Sequence, residues 1–194
     1  MIGLIQHTLM VLVEKHGGRE LKEQVLRDCS LPAETRFPIH QDLPDVQCSA
    51  LITVACLRLD LDEETLWRMY ADQFLTEARQ LFPRFFEMAP TARDFLIRQP
   101  TIHCTFGAGL RDAAARDVVR DKFFITEDGP DLLIRYRSNL QLCRLYCALA
   151  EAVLELYAQP GSIVEEECRH DSHQACLFRI TFHDSTSESR PTHD

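Results

Sequence analysis

The sequence predicts an α+β fold, with a helical N-terminal part and a C-terminal part that holds a small antiparallel sheet. Apolar residues recur at helical spacing in the first part, and from about residue 121 the period changes to two, with turn residues between short segments. A chain of 194 residues is long enough for one hydrophobic core. We therefore expect a single domain over 1–183, helical over about 1–120 and α/β over about 121–183, followed by a disordered polar tail over 184–194.

The N-terminal part is expected to hold five helices. In "MIGLIQHTLMVLVEKHGG" the apolar spacing predicts a first helix that Gly17 and Gly18 end, and "RELKEQVLRDCS" predicts a second. The proline-containing stretch "SLPAETRFPIHQDLP" predicts a loop. An apolar run, an acidic first turn and a threonine cap predict three further helices, from Asp45 to Leu57, from Asp62 to about Leu81, and after Thr91.

The C-terminal part is expected to hold two hairpins and one helix. The segment "KFFITEDGPDLLIRYR" alternates around the turn residues "EDGP", which predicts the first β-hairpin. A helix is expected from Ser138 to Tyr157. The segments "SIVEEEC" and "ACLFRITFH" predict two more strands, joined by a histidine-rich loop. We expect the helix to pack between the two hairpins.

Charge and composition argue against several function classes. The chain has 30 acidic and 21 basic residues, and the resulting formal charge of −9 disfavours nucleic-acid binding. The longest uncharged apolar stretch, "ALITVACL", is far shorter than the roughly 20 residues that span a bilayer. The N-terminus lacks a signal-peptide cleavage site, so we expect a cytoplasmic protein. The sequence shows no glycine-rich phosphate loop, nucleophile elbow or His-Glu-x-x-His motif, so we do not expect the protein to be an enzyme.

One histidine and four cysteines are candidate metal ligands. His103 lies in the uncharged stretch "RQPTIHCTFGAGL" and is a possible haem ligand, although a lone histidine is more often structural. Cys143 and Cys147 lie four residues apart on one helix, and Cys168 and Cys176 flank the loop "CRHDSHQAC". These four thiols suit a tetrahedral zinc site. The alternative is four separate buried cysteines that act as small hydrophobic residues.

Four features resemble the haem-nitric oxide/oxygen-binding (H-NOX) family. They are the opening "MIGLIQHTLMVLVEKHGG", the loop "FPIHQDLPD", the histidine of "TIHC" before "LLIRYRS", and the closing hairpin, and the likeness extends from Met1 to Phe182. The resemblance implies a helical subdomain and an α/β subdomain around a b-type haem. By the same resemblance His103 is the proximal iron ligand, and Tyr136 and Ser138 bind the haem propionates.

One position departs from the family pattern. The propionate-binding motif of the family is Tyr-x-Ser-x-Arg, and this chain has Leu140 in place of the arginine. Leucine offers neither charge nor hydrogen-bond donor to a carboxylate. Arg135 and Arg137 are close in sequence, but alternation along the strand turns them away from Tyr136. We expect haem to be held more weakly than in a typical member.

The resemblance also identifies a distal wall. Family members that hold oxygen have a distal tyrosine nine residues after the motif tyrosine, where this chain has Leu145, and Ile5 and Leu9 complete an apolar wall. Tyr146 is adjacent but lies about 100° further around the helix. Without a donor to bound oxygen, the pocket is expected to favour nitric oxide or carbon monoxide.

A subset of bacterial relatives binds zinc through thiols on the same helix and the last hairpin. Cys143, Cys168 and Cys176 fall on the matching positions, Cys147 is the expected fourth ligand, and His170 is the reserve. The resemblance thus implies haem and allows zinc as a second cofactor.

The resemblance implies a non-enzymatic, haem-based nitric oxide sensor. The chain ends soon after the domain, so the signalling partner is expected to be separately encoded, as a histidine kinase or a cyclic-di-GMP enzyme. Nitric oxide is expected to weaken the bond between iron and His103 and so to shift the two subdomains. The alternative is a haem-poor zinc/thiol redox sensor, and a third possibility is a scaffold with neither cofactor.

Overall fold

The computed structural model describes residues 3–38, 41, 43–108, 113–140 and 142–183. It has an α+β architecture in which seven described helices precede a hairpin, an eighth helix and a second hairpin, so the predicted fold class is confirmed. The tail expected over 184–194 lies outside the described residues. No helix among the described residues combines the length and apolar character needed to cross a membrane.

The N-terminal helices agree with the sequence pattern in most places. Gly18 adopts a left-handed φ of 73°, which breaks α1 at the predicted glycines into two helical segments. Asp62 caps α3 by accepting a hydrogen bond from the Thr65 N–H, and Thr91 caps α5 in the same way from Asp94. The helices are α1 Leu4–Asp28, α2 Asp45–Leu59, α3 Glu63–Leu81, α4 Pro83–Glu87, α5 Ala92–Ile97, α6 Gln99–Gly107 and α7 Ala113–Arg120.

Three of these helices are absent from the prediction. Pro83, expected only to end the preceding helix, also occupies the first turn of α4, where a missing N–H costs nothing. The stretch around His103 was expected to follow a helix, but it is itself the helix α6. The short helix α7 also lacks a predicted counterpart. Short helices of five to nine residues give too few turns for a periodic pattern to be recognised.

The two predicted hairpins join into one four-stranded antiparallel sheet. The strands are β1 Phe123–Asp128, β2 Asp131–Tyr136, β3 Gly161–Glu167 and β4 Cys176–Phe182, in the spatial order β1-β2-β4-β3. Since β2 pairs with β4, Tyr136 lies between Phe123 on one side and Cys176 on the other. The helix was expected to separate the hairpins, but they pair directly.

The connecting helix α8 spans Cys143–Leu156, so it starts five residues later than the predicted Ser138. Ser138 and Leu140 instead lie in the segment between β2 and α8, so these two positions of the propionate-binding motif belong to a loop. Helix α8 packs against α3 through its apolar face and also contacts β3. It therefore connects the helical part with the sheet. The largest fully buried side chains, Trp67, Tyr70 and Phe178, come from both parts of the chain.

Candidate functional site

A mainly apolar cavity lies between the helical part and the sheet. About 1070 Å³ of space not filled by protein atoms lies within and in front of its walls, including space that is open to solvent. Its walls come from α1, α3, α4, α5 and α6 on one side and from β1, β2 and α8 on the other. Six aromatic side chains from the helical part line it: Tyr70, Phe74, Phe82, Phe85, Phe86 and Phe95. Such a cavity suits a large, flat, apolar ligand.

His103 of α6 lies in the wall of this cavity. Its ring contacts Phe123 of β1 at a centroid distance of 4.6 Å. Burial lowers the pKa of His103 to about 3, and the positive charge of Lys122 acts in the same direction. The imidazole is therefore neutral at physiological pH, which is the form that ligates iron.

Tyr136, the last residue of β2, and Ser138, two residues further along, are both buried. Tyr136 lines the cavity, and its ring stacks on Tyr146 at 5.3 Å. Ser138 is 5% exposed, and its Oγ has no hydrogen-bond partner among the described residues. An unsatisfied buried hydroxyl is costly unless a ligand supplies the partner. Next to it, the Arg169 guanidinium donates a hydrogen bond to the Ser138 carbonyl oxygen at 2.6 Å.

Leu140 packs against the hydrophobic core and offers no polar group. Arg135 and Arg137 are both exposed, whereas Tyr136 between them is buried, in agreement with the expected alternation. The cation in the cavity wall is instead Lys122, which the sequence analysis missed. Lys122 directly precedes Phe123. In the predicted hairpin it lies opposite the strand that carries Tyr136, and this position is the sequence feature that could have identified it.

The apolar distal residues are only partly brought together. Ile5 and Leu145 line the cavity, whereas Leu9 is buried in the core and does not belong to the described lining. Tyr146 was expected to be turned away, but it also lines the cavity. The Tyr146 ring packs against the ring of Phe178 at 4.7 Å and also against that of Tyr136, so the two tyrosines lie side by side.

A second candidate site lies on the side of Tyr136 that faces its partner Cys176 on β4. The Sγ atoms of Cys143 and Cys168 are 3.8 Å apart, and those of Cys168 and Cys176 are 4.0 Å apart. A carboxylate oxygen of Glu165 completes a group of four ligand atoms that all lie within 4.8 Å of one another. Among the described residues this group does not include Cys147 or the exposed His170.

The thiol distances match a tetrahedral zinc ion. With Zn–S bonds of about 2.3 Å, tetrahedral geometry places two sulfur atoms about 3.8 Å apart. Burial and the nearby Glu165 carboxylate raise the pKa of Cys143, and burial raises the pKa of Cys176 to about 11. Both thiols are therefore protonated at neutral pH unless a metal displaces the protons.

The residues present fit a haem in the larger cavity and a zinc ion at the thiol cluster. For haem, they offer apolar walls, a neutral and partly buried histidine, a hydroxyl that lacks a partner among the described residues, and one cation. For zinc, they offer three sulfur ligands and one oxygen at suitable spacing. Position 140 holds a leucine and not the arginine expected from the family pattern.

The family model for haem-NO-binding proteins matches residues 2–165. Three solved structures are similar over nearly the whole chain. A Cs H-NOX mutant with 4-cyano-L-phenylalanine at site 5 gives a TM-score of 0.80 at 15% identity and covers 97% of this chain and 100% of its own. An H-NOX protein from S. oneidensis in the Fe(II)NO ligation state gives 0.78 at 14% identity, with 95% and 100% covered.

The third similar structure is an oxygen-binding H-NOX domain related to soluble guanylate cyclases, in its oxygen complex. It gives a TM-score of 0.77 at 15% identity and covers 99% of this chain and 100% of its own. No curated protein gives a match. At these identities the structural similarity establishes the fold, and the family model establishes the family.

Proposed function

The chain belongs to the haem-NO-binding family, and from this membership we propose that it is a haem-based sensor of nitric oxide that regulates a separately encoded partner. H-NOX domains are gas-sensing haem domains rather than catalytic ones. We take residues 1–183 as one sensor domain and a b-type haem as its cofactor. The observation that supports this most strongly is the neutral, partly buried His103 in the wall of a mainly apolar cavity.

The cavity residues would divide the work of holding the cofactor. His103 would ligate the iron, and Tyr136 and Ser138 would donate hydrogen bonds to propionate oxygens. When bound, the haem iron supplies an open coordination position for a diatomic gas. Ile5 and Leu145, the two lining residues expected in the distal wall, have no hydrogen-bond donor in their side chains, and on this ground we propose nitric oxide or carbon monoxide as the ligand rather than oxygen.

A change at His103 has a direct route to the sheet. The His103 ring contacts Phe123, the first residue of β1, and Phe123 in turn contacts Tyr136 at 5.1 Å. A shift of α6 would therefore move β1 and β2 relative to the helical part. We propose that a histidine kinase or a cyclic-di-GMP enzyme detects this shift.

Replacement of the proposed iron ligand tests the haem assignment. His103→Ala should abolish or greatly weaken haem binding and leave the fold largely intact, because the iron bond is lost while the apolar cavity remains. The absorption spectrum and the iron content of the purified protein measure this. The control is His16→Ala, since His16 is an exposed histidine on α1. An unchanged Soret band in His103→Ala would contradict the assignment.

The thiol cluster supports a second candidate function, a haem-poor zinc/thiol redox sensor. Three thiols at tetrahedral spacing are the observation that favours it. Zinc would hold the last hairpin against the start of α8, and oxidation of the sulfurs would release the metal. In that case one zinc per chain should copurify and should leave on treatment with peroxide.

Zinc analysis of single cysteine variants tests this second function. Substitution of Cys143, Cys168 or Cys176 should lower the zinc content, whereas Cys48→Ala and Cys56→Ala, both on α2, should not change it. Equal loss in all variants, or no zinc in the wild-type protein prepared under reducing conditions, would exclude the redox-sensor proposal.

A further inference from the structure

Lys122 is a cation in an otherwise mainly apolar cavity wall. It lies just before β1, is partly buried, and its Nζ is 5.9 Å from the centroid of the Tyr136 ring. It is the only cationic side chain among the described lining residues, because His103 is neutral. Within the described part of the chain it forms no salt bridge.

Burial penalises this charge. It lowers the pKa of Lys122 to about 8, and the negative charge of Asp45 only partly offsets the effect. A cation in such surroundings is stabilised when an anion joins it in the cavity. The site is therefore suited to a ligand that combines an apolar body with a negative group.

Lys122 lies next to the motif residues that would meet the negative edge of a haem. The Lys122 carbonyl oxygen accepts a hydrogen bond from the Arg137 N–H at 2.9 Å, so the lysine is held opposite the segment that connects Tyr136 to Ser138. The same segment continues to Leu140, which supplies no charge. Lys122 can thus provide, from the residue just before β1, the positive charge that position 140 lacks.

We infer that Lys122 is the cationic partner of a haem propionate in this protein and takes over the role of the missing arginine. This inference rests on the proposed haem site. An ammonium group offers a charge-assisted hydrogen bond to a carboxylate, although without the two-pronged geometry of a guanidinium. Haem retention should therefore depend on the charge at position 122.

The test compares haem with its dimethyl ester, in which both propionates are neutral. The full-length apoprotein is loaded with either porphyrin, and the rate of loss to an excess of a high-affinity haem acceptor protein is measured. Lys122→Met should speed the loss of haem about tenfold, as expected for one charge-assisted contact. The same variant should leave the loss of the ester nearly unchanged. Lys122→Arg should retain haem about as well as the wild-type protein.

The matched control is Lys22→Met, because Lys22 lies on α1 and pairs with Glu14 at the surface. Lys122→Gln repeats the comparison if the methionine variant does not fold, as judged by circular dichroism. Equal haem loss from Lys122→Met and wild type, or an equal effect on haem and ester, overturns this inference alone. A wild-type protein that binds neither porphyrin overturns the proposed haem function and this inference with it.

Discussion

At the scale of single residues, the proposed haem site depends on a few polar groups in an apolar cavity. His103 is kept neutral by burial, and the Ser138 hydroxyl is buried without a partner among the described residues. Leu140 contributes packing where the family motif has an arginine. Because each polar group in such a cavity is poorly solvated, the gain or loss of one contact to the ligand has a large effect.

Leu140→Arg should raise haem retention, because it restores a charge-assisted contact to a propionate. We expect haem loss to slow by about tenfold, since one such contact contributes about 1.5–3 kcal/mol. Haem transfer to an acceptor protein measures the rate. The same substitution should also restore retention in Lys122→Met. Unchanged or faster loss would mean that position 140 does not face the propionates.

At the scale of elements, the thiol cluster depends on where α8 begins and on an irregularity in β3. Cys143 is the first residue of α8, and Cys176 is the first residue of β4. The β3–β4 register shifts between Glu165 and Glu167, and such a bulge changes the direction of neighbouring side chains. Glu165, whose carboxylate lies beside the thiols, is located at this irregularity.

The fourth ligand of the proposed zinc site can therefore be assigned by experiment. Glu165→Gln should weaken zinc binding by at least about tenfold, because a neutral amide replaces an anionic oxygen ligand. Cys147→Ala should leave it nearly unchanged. Competition with a chromophoric chelator measures both affinities, and Glu166→Gln is the matched control on the same strand. Weaker zinc binding in Cys147→Ala, together with unchanged binding in Glu165→Gln, would support Cys147 as the ligand and require its side chain to move.

At the scale of the whole molecule, the cavity lies between the two parts of the chain, which also pack directly against each other through α3 and α8. The helical part contributes α1 and α3 to α6 to the walls, and the rest of the chain contributes β1, β2 and α8. A ligand between them binds the folded protein and not the unfolded chain, so it stabilises both parts together.

Haem should raise the thermal midpoint of unfolding. With free haem at about 100 times its Kd, the linkage is worth about 2.7 kcal/mol, which corresponds to a rise of roughly 5–10 °C for a domain of this size. Circular dichroism on the apoprotein with and without haem measures the shift. His103→Ala should show a much smaller rise. An identical midpoint with and without haem would argue against a haem between the two parts.

The two candidate sites are also neighbours in the folded chain. Tyr136 of the haem motif pairs with Cys176 of the thiol cluster across β2 and β4. Arg169 connects them as well, since its N–H donates to the Cys176 Sγ at 3.4 Å and its guanidinium to the Ser138 carbonyl oxygen. The sequence separates these residues by about 30 to 40 positions, and only the sheet order brings them together.

The sequence by itself determined the fold class, the family, the two hairpins and the longer helices. The family follows from the resemblance of four segments, whereas the fold class, the hairpins and the longer helices follow from local physical chemistry: repeated apolar spacing, capping residues such as Asp62 and Thr91, and turn residues between strands. It also indicated three of the four clustered ligands, Cys143, Cys168 and Cys176, through their match to the family.

Only the tertiary structure decided which side chains share a site. It placed Lys122 in the cavity wall, brought Glu165 rather than Cys147 to the three thiols, and left Leu9 in the core away from the described lining. Such placements depend on strand pairing, on a bulge in β3 and on the late start of α8. They depend on contacts between residues far apart in the chain, which local periodicity does not encode.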